Sequence, residues 1–195
     1  MKKWIIAAVA AAMTAGMLPA GAAQDGVILN ETFNNYVTNS TETLLTHKGD
    51  ANARVVEDGY QNKVFLLPSR QQNNELKADI KEAGESFIIS AKIKFGENRS
   101  TVKIGYADAS NKQLIPVTFQ PDGKITAHNG KKLGSSDLQN YTRVDIGYNT
   151  VTKRYFAALD GRIQLSYCQN NAGVGVPSQL IISTAPGDDQ GLRCV

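Results

Sequence analysis

Aromatic side chains close to hydrogen-bonding groups are the pattern in this chain that could most directly support binding chemistry. Sites for sugars combine flat aromatic rings with amide and acid groups that bond the hydroxyls. A predicted strand alternates so that its polar side carries a tyrosine, an arginine and an aspartate. Two more tyrosines lie in or near predicted loops. The candidates for a surface that stacks on a ligand and hydrogen-bonds to it are therefore Tyr36, Tyr60, Tyr141, Arg143 and Asp145.

A second interpretation of these tyrosines is structural. A tyrosine at the edge of a sheet can pack its ring and keep its hydroxyl in water, without binding any ligand. Three lysines, Lys92, Lys94 and Lys103, offer another possible surface, because the two strands that carry them are expected to be adjacent. A lysine stripe would suit an anionic glycan, whereas a solvated lysine face is the more common outcome.

Support for catalysis is weaker. Glycosidases bring two carboxylates together, but the nearest such pair, Glu82 and Glu85, flanks Gly84 in a predicted turn. A solvated loop explains that pair more simply. His47 and His128 are isolated, and isolated histidines are more often surface residues than bases or ligands. No phosphate loop or zinc spacing is present, and a catalytic triad is recognised by geometry rather than by sequence position. Whether the protein is an enzyme stays open, and the sequence favours a non-catalytic protein.

Calcium is the one metal for which the sequence offers candidates. Asp108 and the pair Asp188–Asp189 are carboxylates in predicted loops. A calcium site needs six or more oxygen ligands, so a bare aspartate pair is weak support for one. We therefore expect no cofactor, with calcium as the alternative.

The first 23 residues have the form of a secretory signal peptide. A short basic start is followed by an apolar run from Trp4 to Leu18 and by small residues that suit cleavage after Ala22 or Ala23. The apolar run is shorter than the roughly 20 residues of a membrane span. Loss of Lys2 and Lys3 lowers the formal charge from +3 to +1, and no basic cluster indicates nucleic-acid binding.

Export has a consequence for the two cysteines. In a secreted protein an even number of cysteines favours a disulfide. The sequence therefore predicts a possible disulfide between Cys168 and Cys194, with two buried free thiols as the alternative.

The predicted fold is an all-β, antiparallel two-sheet sandwich that forms a single domain over residues 24–195. Turn signals recur about every ten residues, and no helix-period stretch of useful length follows the signal. The stretch from Tyr141 to Tyr167 predicts three strands, with a two-residue hairpin at Asp160–Gly161. Its third strand is expected to turn Ile163, Leu165 and Tyr167 inward.

Other local signals fit the same architecture. The strand from Ser86 to Phe95 alternates cleanly, and Asn129–Gly130 is a strong hairpin signal. Pro116 interrupts a further strand, which indicates an edge or a bulge.

The order Arg143–Val144–Asp145–Ile146, a loop, and an aromatic-rich strand ending in Leu159–Asp160–Gly161–Arg162 resembles the back-sheet meander of concanavalin A-like (laminin G-like) jelly-roll domains. The stretch Glu31–Thr32–Phe33 is similar to the opening of many such domains. In this family the domain closes with a full strand beside the first. Only the start of such a strand, Leu192–Val195, is present. Either the fold closes early, or the domain lacks its last strand and is the N-terminal part of a larger extracellular protein, which is the alternative we favour.

That fold carries lectins, glycosidases, polysaccharide lyases and adhesion modules, so it does not determine activity. Our leading hypothesis is a secreted or cell-surface, non-catalytic carbohydrate-binding or adhesion module, whose partner is a polysaccharide or cell-surface glycan.

An enzyme on the same fold is one alternative. The stretch Arg70 to Lys77 is loosely similar to an Arg-x-Glu-x-Arg strand of a lyase family, but it lacks the second arginine. A structural spacer domain is the other alternative. Nucleic acid and a membrane span after signal cleavage are not expected, and the oligomeric state is left open.

Overall fold

The computed structural model describes residues 11–15, 26–31, 33–58, 63–67, 73–80, 84–94, 100–136 and 140–185, and for 11–15 and 26–31 only the backbone. These residues form fifteen β-strands, and no helix occurs among them. All strand pairs in this part of the chain are antiparallel. The predicted fold class, an all-β antiparallel sandwich, is confirmed.

The strands divide into two large sheets and a small hairpin. The first sheet has the order β14-β13-β12-β7-β1-β2, and the second has the order β11-β10-β9-β8-β15-β6-β3, while β4 pairs with β5. The strands are β1 Ala11–Ala15, β2 Gly26–Glu31, β3 Thr46–Lys48, β4 Arg54–Glu57, β5 Lys63–Leu66, β6 Asn74–Asp79, β7 Ser86–Ile93, β8 Thr101–Asp108, β9 Gln113–Phe119, β10 Lys124–Ala127, β11 Lys132–Ser135, β12 Thr142–Asn149, β13 Arg154–Leu159, β14 Arg162–Gln169 and β15 Pro177–Ala185.

Alternating apolar side chains of both sheets meet in one core, as the period-2 pattern of the strands predicts. Tyr106 of the second sheet is fully buried and donates its hydroxyl to the carbonyl oxygen of Ile146 in the first sheet, at 2.5 Å. Its ring meets Phe87 edge to face, with centroids 5.0 Å apart. Burial raises the pKa of the Tyr106 phenol well above its usual value, so the phenol stays protonated and able to donate. One side chain thus links the two sheets.

The hairpin between β13 and β14 has the predicted turn. Asp160 and Gly161 both have positive φ, 48° and 79°, as a type I′ turn requires. The Asn129–Gly130 hairpin also forms, but four residues, 128–131, separate β10 from β11. The backbone N–H of Gly130 donates to the carbonyl oxygen of Ala127, and the N–H of Ala127 donates to the carbonyl oxygen of Lys131. Only Gly130 of the Asn–Gly pair has positive φ, so this turn is not the two-residue type I′ form.

Pro116 marks a bulge, one of the two alternatives that the sequence left open. Strand β9 lies between β8 and β10, so it is not an edge. The register between β8 and β9 shifts at Gly105, where Ile104 pairs with Val117 but Tyr106 pairs with Leu114. The bulged backbone presses on Gly105, where a Cβ would lie 2.0 Å from the carbonyl oxygen of Leu114. Only glycine fits that position.

The prediction that Ile163 and Tyr167 face inward is wrong. Leu165 is buried as expected, but Ile163 is 64% exposed and Tyr167 is 65% exposed. The cause is two register shifts in the pairing of β13 with β14, one between Tyr155 and Ala157 and one between Ala157 and Ala158. Each shift breaks the simple alternation, because an extra residue in one strand reverses the direction of the side chains beyond it.

The lysine stripe that the sequence offered as one possible surface does not form, because its two strands are not adjacent. Strand β7 contains Lys92, is followed directly by Lys94 and belongs to the first sheet. Strand β8, which contains Lys103, belongs to the second sheet. The chain crosses between the sheets after β7 instead of returning beside it. His47 lies in the short strand β3 and pairs with Leu76 of β6.

Strand β1 lies within the predicted signal peptide. It pairs with β2 on one side and with β7 on the other. Cleavage after Ala22 or Ala23 would remove β1 and leave that edge of β7 without its neighbour. The signal peptide and the domain limits stay predictions, and Leu192–Val195 lies outside the described residues. Within the described residues, no helix long and apolar enough to cross a membrane occurs.

We predict that Gly105→Ala lowers the free energy of unfolding by about 1–3 kcal/mol, because the added methyl group has to displace the backbone of β9. Urea unfolding followed by tyrosine fluorescence measures the change. Gly84→Ala is the matched control, since a Cβ there meets nothing closer than 4.0 Å. Equal stability of the two variants would contradict the bulge geometry.

Candidate functional site

The outer face of the first sheet carries a groove with a volume of about 420 Å³. It lies across β7, β12, β13 and β14, on the side of the sheet opposite the core. A groove of this size is within the range that binds small ligands, roughly 300–1,000 Å³. The described residues that line it are Ser86, Phe87, Ile88, Gly147, Tyr148, Asn149, Thr152, Arg154, Tyr155, Phe156, Ile163, Ser166 and Tyr167.

The floor of the groove depends on the absence of a side chain at Gly147. Gly147 pairs with Ile88 on one side and Phe156 on the other, so these three residues form one row across the sheet. The Phe156 ring lies over the glycine, where a Cβ would fall 1.9 Å from its Cε1 atom. Glycine therefore allows the ring to lie across the sheet and form a broad apolar floor.

A β-bulge brings Tyr167 to the groove. In the pairing of β13 with β14, Tyr155 lies opposite Cys168 and Ala157 opposite Leu165, so Ser166 and Tyr167 together face Phe156. Tyr167 has a φ of 52°, a left-handed conformation that is uncommon for an aromatic residue. Such strained residues occur often at binding sites. The bulge exposes an aromatic ring beside the Phe156 ring.

Hydroxyl and amide groups form one end of the groove. Asn149 donates from Nδ2 to Ser86 Oγ at 2.8 Å and accepts at Oδ1 from the hydroxyl of Thr152 at 2.9 Å. The same Oδ1 also accepts from the backbone N–H of Thr152 at 2.6 Å. The Asn149 side chain thus fixes the turn, whereas the Ser86 hydroxyl keeps its own hydrogen for donation and the Thr152 hydroxyl keeps a lone pair. Arg154 is exposed and completes this end.

Arg143 and Asp145 lie on the same outer face, as predicted, but not in the groove lining. Arg143 Nε donates to Asp145 Oδ1 at 2.8 Å, and the same oxygen accepts from Ser90 Oγ at 2.5 Å. Asp145 is 8% exposed, so the network covers its carboxylate. The polar groups that a ligand would need are largely occupied by each other.

Tyr141 is also held by neighbours. Its hydroxyl donates to the carboxylate of Asp58, and Lys94 Nζ lies 5.3 Å from its ring centroid and 3.6 Å from Asp58 Oδ1. Burial, together with the hydrogen bond to the Asp58 carboxylate, raises the pKa of the Tyr141 phenol far above its usual value. The ring is therefore fixed in a cross-sheet contact, with the lysine in a cation–π position.

Tyr36 is not brought to this face. Its ring packs at 6.4 Å from the ring of Phe33, and its hydroxyl accepts the backbone N–H of Leu44 at 3.0 Å. Tyr36 therefore has the structural role that the sequence offered as the second interpretation of the tyrosines, with its ring packed against the protein. Tyr60 lies outside the described residues. No finding tests sugar binding by any of the five candidates, so that role stays a prediction.

Asp108 has a structural explanation. Its Oδ1 accepts the N–H groups of Ser110 and Lys112, at 2.8 and 3.0 Å, and its Oδ2 accepts that of Gly175 at 2.8 Å. These bonds, the Gly175 bond first, lower the pKa of the Asp108 carboxyl below its usual 3.8. Asp188 and Asp189 lie outside the described residues. In the described part of the chain no group of three or more His, Cys, Asp or Glu side chains could hold a metal ion.

His128, Tyr155 and Cys168 form a second polar cluster. Tyr155 Oη and His128 Nδ1 lie 2.6 Å apart and share a hydrogen bond. Burial, followed by the nearby Cys168, raises the pKa of the Tyr155 phenol to about 12. His128 is exposed, as predicted, and borders a depression of about 310 Å³ with Lys103 and Gln113. Cys168 is half-buried and Cys194 lies outside the described residues, so the disulfide stays a prediction.

The possible catalytic residues are not gathered in the described structure. Glu85 is exposed in a bend before β7, and Glu82 and Arg70 lie outside the described residues. In the stretch that is loosely similar to a lyase strand, Lys77 Nζ forms a salt bridge with Glu75 Oε1 at 3.0 Å. That contact is a partly exposed pair, which contributes little to stability.

No family model and no curated protein matches the chain. A solved structure described as a sialidase shares the fold, with a TM-score of 0.63 and 14% sequence identity. The match covers 84% of this chain but 16% of the sialidase chain, so this chain spans a small part of that protein's length. At this identity the likeness shows the fold alone. Fold and site together define an antiparallel β-sandwich with an aromatic groove on one outer face.

We predict that Asp108→Asn destabilises the fold at neutral pH and that the difference from the natural chain shrinks in acid. The folded-state pKa is lowered, so its stabilisation is present above the usual value of 3.8 and is lost as the pH falls through the lowered pKa. Thermal unfolding at neutral pH and at steps below pH 3.8 measures both parts. A difference that does not change with pH would show that the charge of Asp108 is unimportant.

Proposed function

We propose that this chain is a non-catalytic glycan-binding module and that the groove over Gly147 is its binding site. The observation that carries the proposal is the pairing of an apolar aromatic floor with hydroxyl groups at one end. Sugars have this same division, because their ring C–H faces are apolar and their edges carry hydroxyls. The rings of Phe156 and Tyr167 would stack on the sugar, while the hydroxyl groups of Ser86 and Thr152 would form hydrogen bonds with the hydroxyls of the sugar.

The comparison with solved structures supports this proposal at the level of fold. A sialidase acts on glycans, and the shared fold is a small part of that chain. We assign the sandwich to the concanavalin A-like (laminin G-like) type, on the meander that contains Arg143–Ile146 and Asp160–Gly161. The site that we propose differs from the sequence-based candidates, because the aromatic residues are Phe156 and Tyr167 instead of Tyr36, Tyr60 and Tyr141.

We also propose that the protein is secreted or held at the cell surface and that its partner is a polysaccharide or cell-surface glycan. The signal-like segment at residues 1–23 supports export. A lyase or glycosidase is the alternative, and it would need a carboxylate pair or a proton-transfer group within reach of the groove. A structural spacer would leave the groove empty of ligand.

We predict that Tyr167→Asn weakens glycan binding at least tenfold without unfolding the protein. Asparagine accepts the left-handed backbone at this position, so the change removes the ring and preserves the bulge. The measurement is a glycan-array screen of the folded chain, with calcium in one arm and chelator in the other, followed by titration of any glycan that binds.

Val37→Asn is the control, because Val37 is 79% exposed in a loop outside the groove lining. The control should bind like the natural chain. A folded protein that binds no glycan would overturn the proposal and favour the spacer. Binding that survives Tyr167→Asn would place the site elsewhere, and binding lost on chelation would show a calcium dependence that the described carboxylates do not explain.

A further inference from the structure

The groove has one charged side chain among the described residues that line it. That side chain is Arg154, and the lining contains no aspartate or glutamate. The other polar members are neutral hydroxyl and amide groups. A ligand in this groove would therefore meet a positive charge at one end and an apolar floor beside it.

The guanidinium of Arg154 differs in its surroundings from that of Arg143 on the same face. Arg143 is neutralised by Asp145, with Nε and Oδ1 at 2.8 Å. The four salt bridges among the described residues do not include Arg154. Its strand neighbours in the pairing are Asn149 and Gln169, which are both uncharged. Arg154 is thus a cation without an acidic partner in the described part of the chain.

We propose that the groove selects a sugar residue that bears a carboxylate, with Arg154 binding the carboxylate while Phe156 and Tyr167 hold the ring. The inference rests on the proposed glycan-binding function and narrows it to acidic glycans. A planar guanidinium matches a planar carboxylate through two parallel N–H bonds, and such bonds are stronger than neutral ones.

The geometry favours a carboxylate over a sulfate or phosphate. A single arginine supplies one planar pair of donors, and the described groove lining offers no second cation. The carboxylate could belong to a uronic acid within a polysaccharide or to a sialic acid at the end of a glycan. Both present the same group next to a sugar ring, and the experiment separates them.

The test is calorimetric titration of the folded chain with matched oligosaccharides. One pair is an oligouronate and the same oligosaccharide with its carboxyls reduced, and the other is sialyllactose and lactose. A sulfated oligosaccharide is the fifth ligand. We expect at least one carboxylated ligand to bind tenfold or more tightly than its neutral partner, with affinity that falls as salt is added.

Arg154→Gln should remove this preference by weakening the carboxylated ligand roughly tenfold or more, while the neutral partner binds as before. Arg154→Lys should restore part of it, because a lysine keeps the charge without the planar fork. Arg162→Gln is the matched control, since Arg162 is exposed on the neighbouring strand and does not line the groove. The control should retain the full preference.

The outcomes separate this inference from the function on which it rests. Equal binding of neutral and carboxylated partners, or a preference that survives Arg154→Gln, overturns the carboxylate inference and leaves glycan binding standing. Preference for the sulfated ligand also overturns it. A folded chain that binds no oligosaccharide overturns both proposals.

Discussion

The close packing of the Phe156 ring on the bare backbone of Gly147 is the contact on which the proposed site depends. Apart from Gly147, each outward position of β12 from Arg143 to Asn149 carries a polar side chain. Those side chains form hydrogen bonds with one another or with β7. At Gly147 this polar row is interrupted, and the ring from β13 fills the space. An apolar floor on a solvent-facing sheet requires this gap. The same gap separates the Arg143–Asp145 network, whose polar groups are hydrogen-bonded to one another, from the groove at the other end of the face.

The features that the sequence predicts well are local. Alternation places Val144, Ile146 and Tyr148 in the core because neighbouring residues of one strand must face opposite sides. The Asp160–Gly161 turn forms as expected because those two residues tolerate positive φ. Arg143 and Asp145 share a face and a hydrogen bond because they are two residues apart in one strand. The fold class follows from the sum of such signals.

The features that the sequence does not predict depend on distant strands. Lys103 is separated from Lys92 because the chain changes sheet after β7, and no local pattern encodes that crossing. Tyr167 points outward because of how β14 slips against β13. A partial signal for the groove was present, since Gly147 stands in an outward row of polar residues and Ile88 and Phe156 occupy outward positions of strands. Apolar residues on a face that should meet water indicate a binding surface.

The most direct test of the account is the position of a bound ligand on the protein. Backbone amide shifts, recorded by NMR while an acidic oligosaccharide is added, would report that position residue by residue. We expect the largest changes at Gly147, Phe156 and Tyr167, and no change at Lys103 and Gln113 on the other sheet. Changes centred on Lys103 and Gln113, or on the Arg143–Asp145 network, would contradict this position of the site.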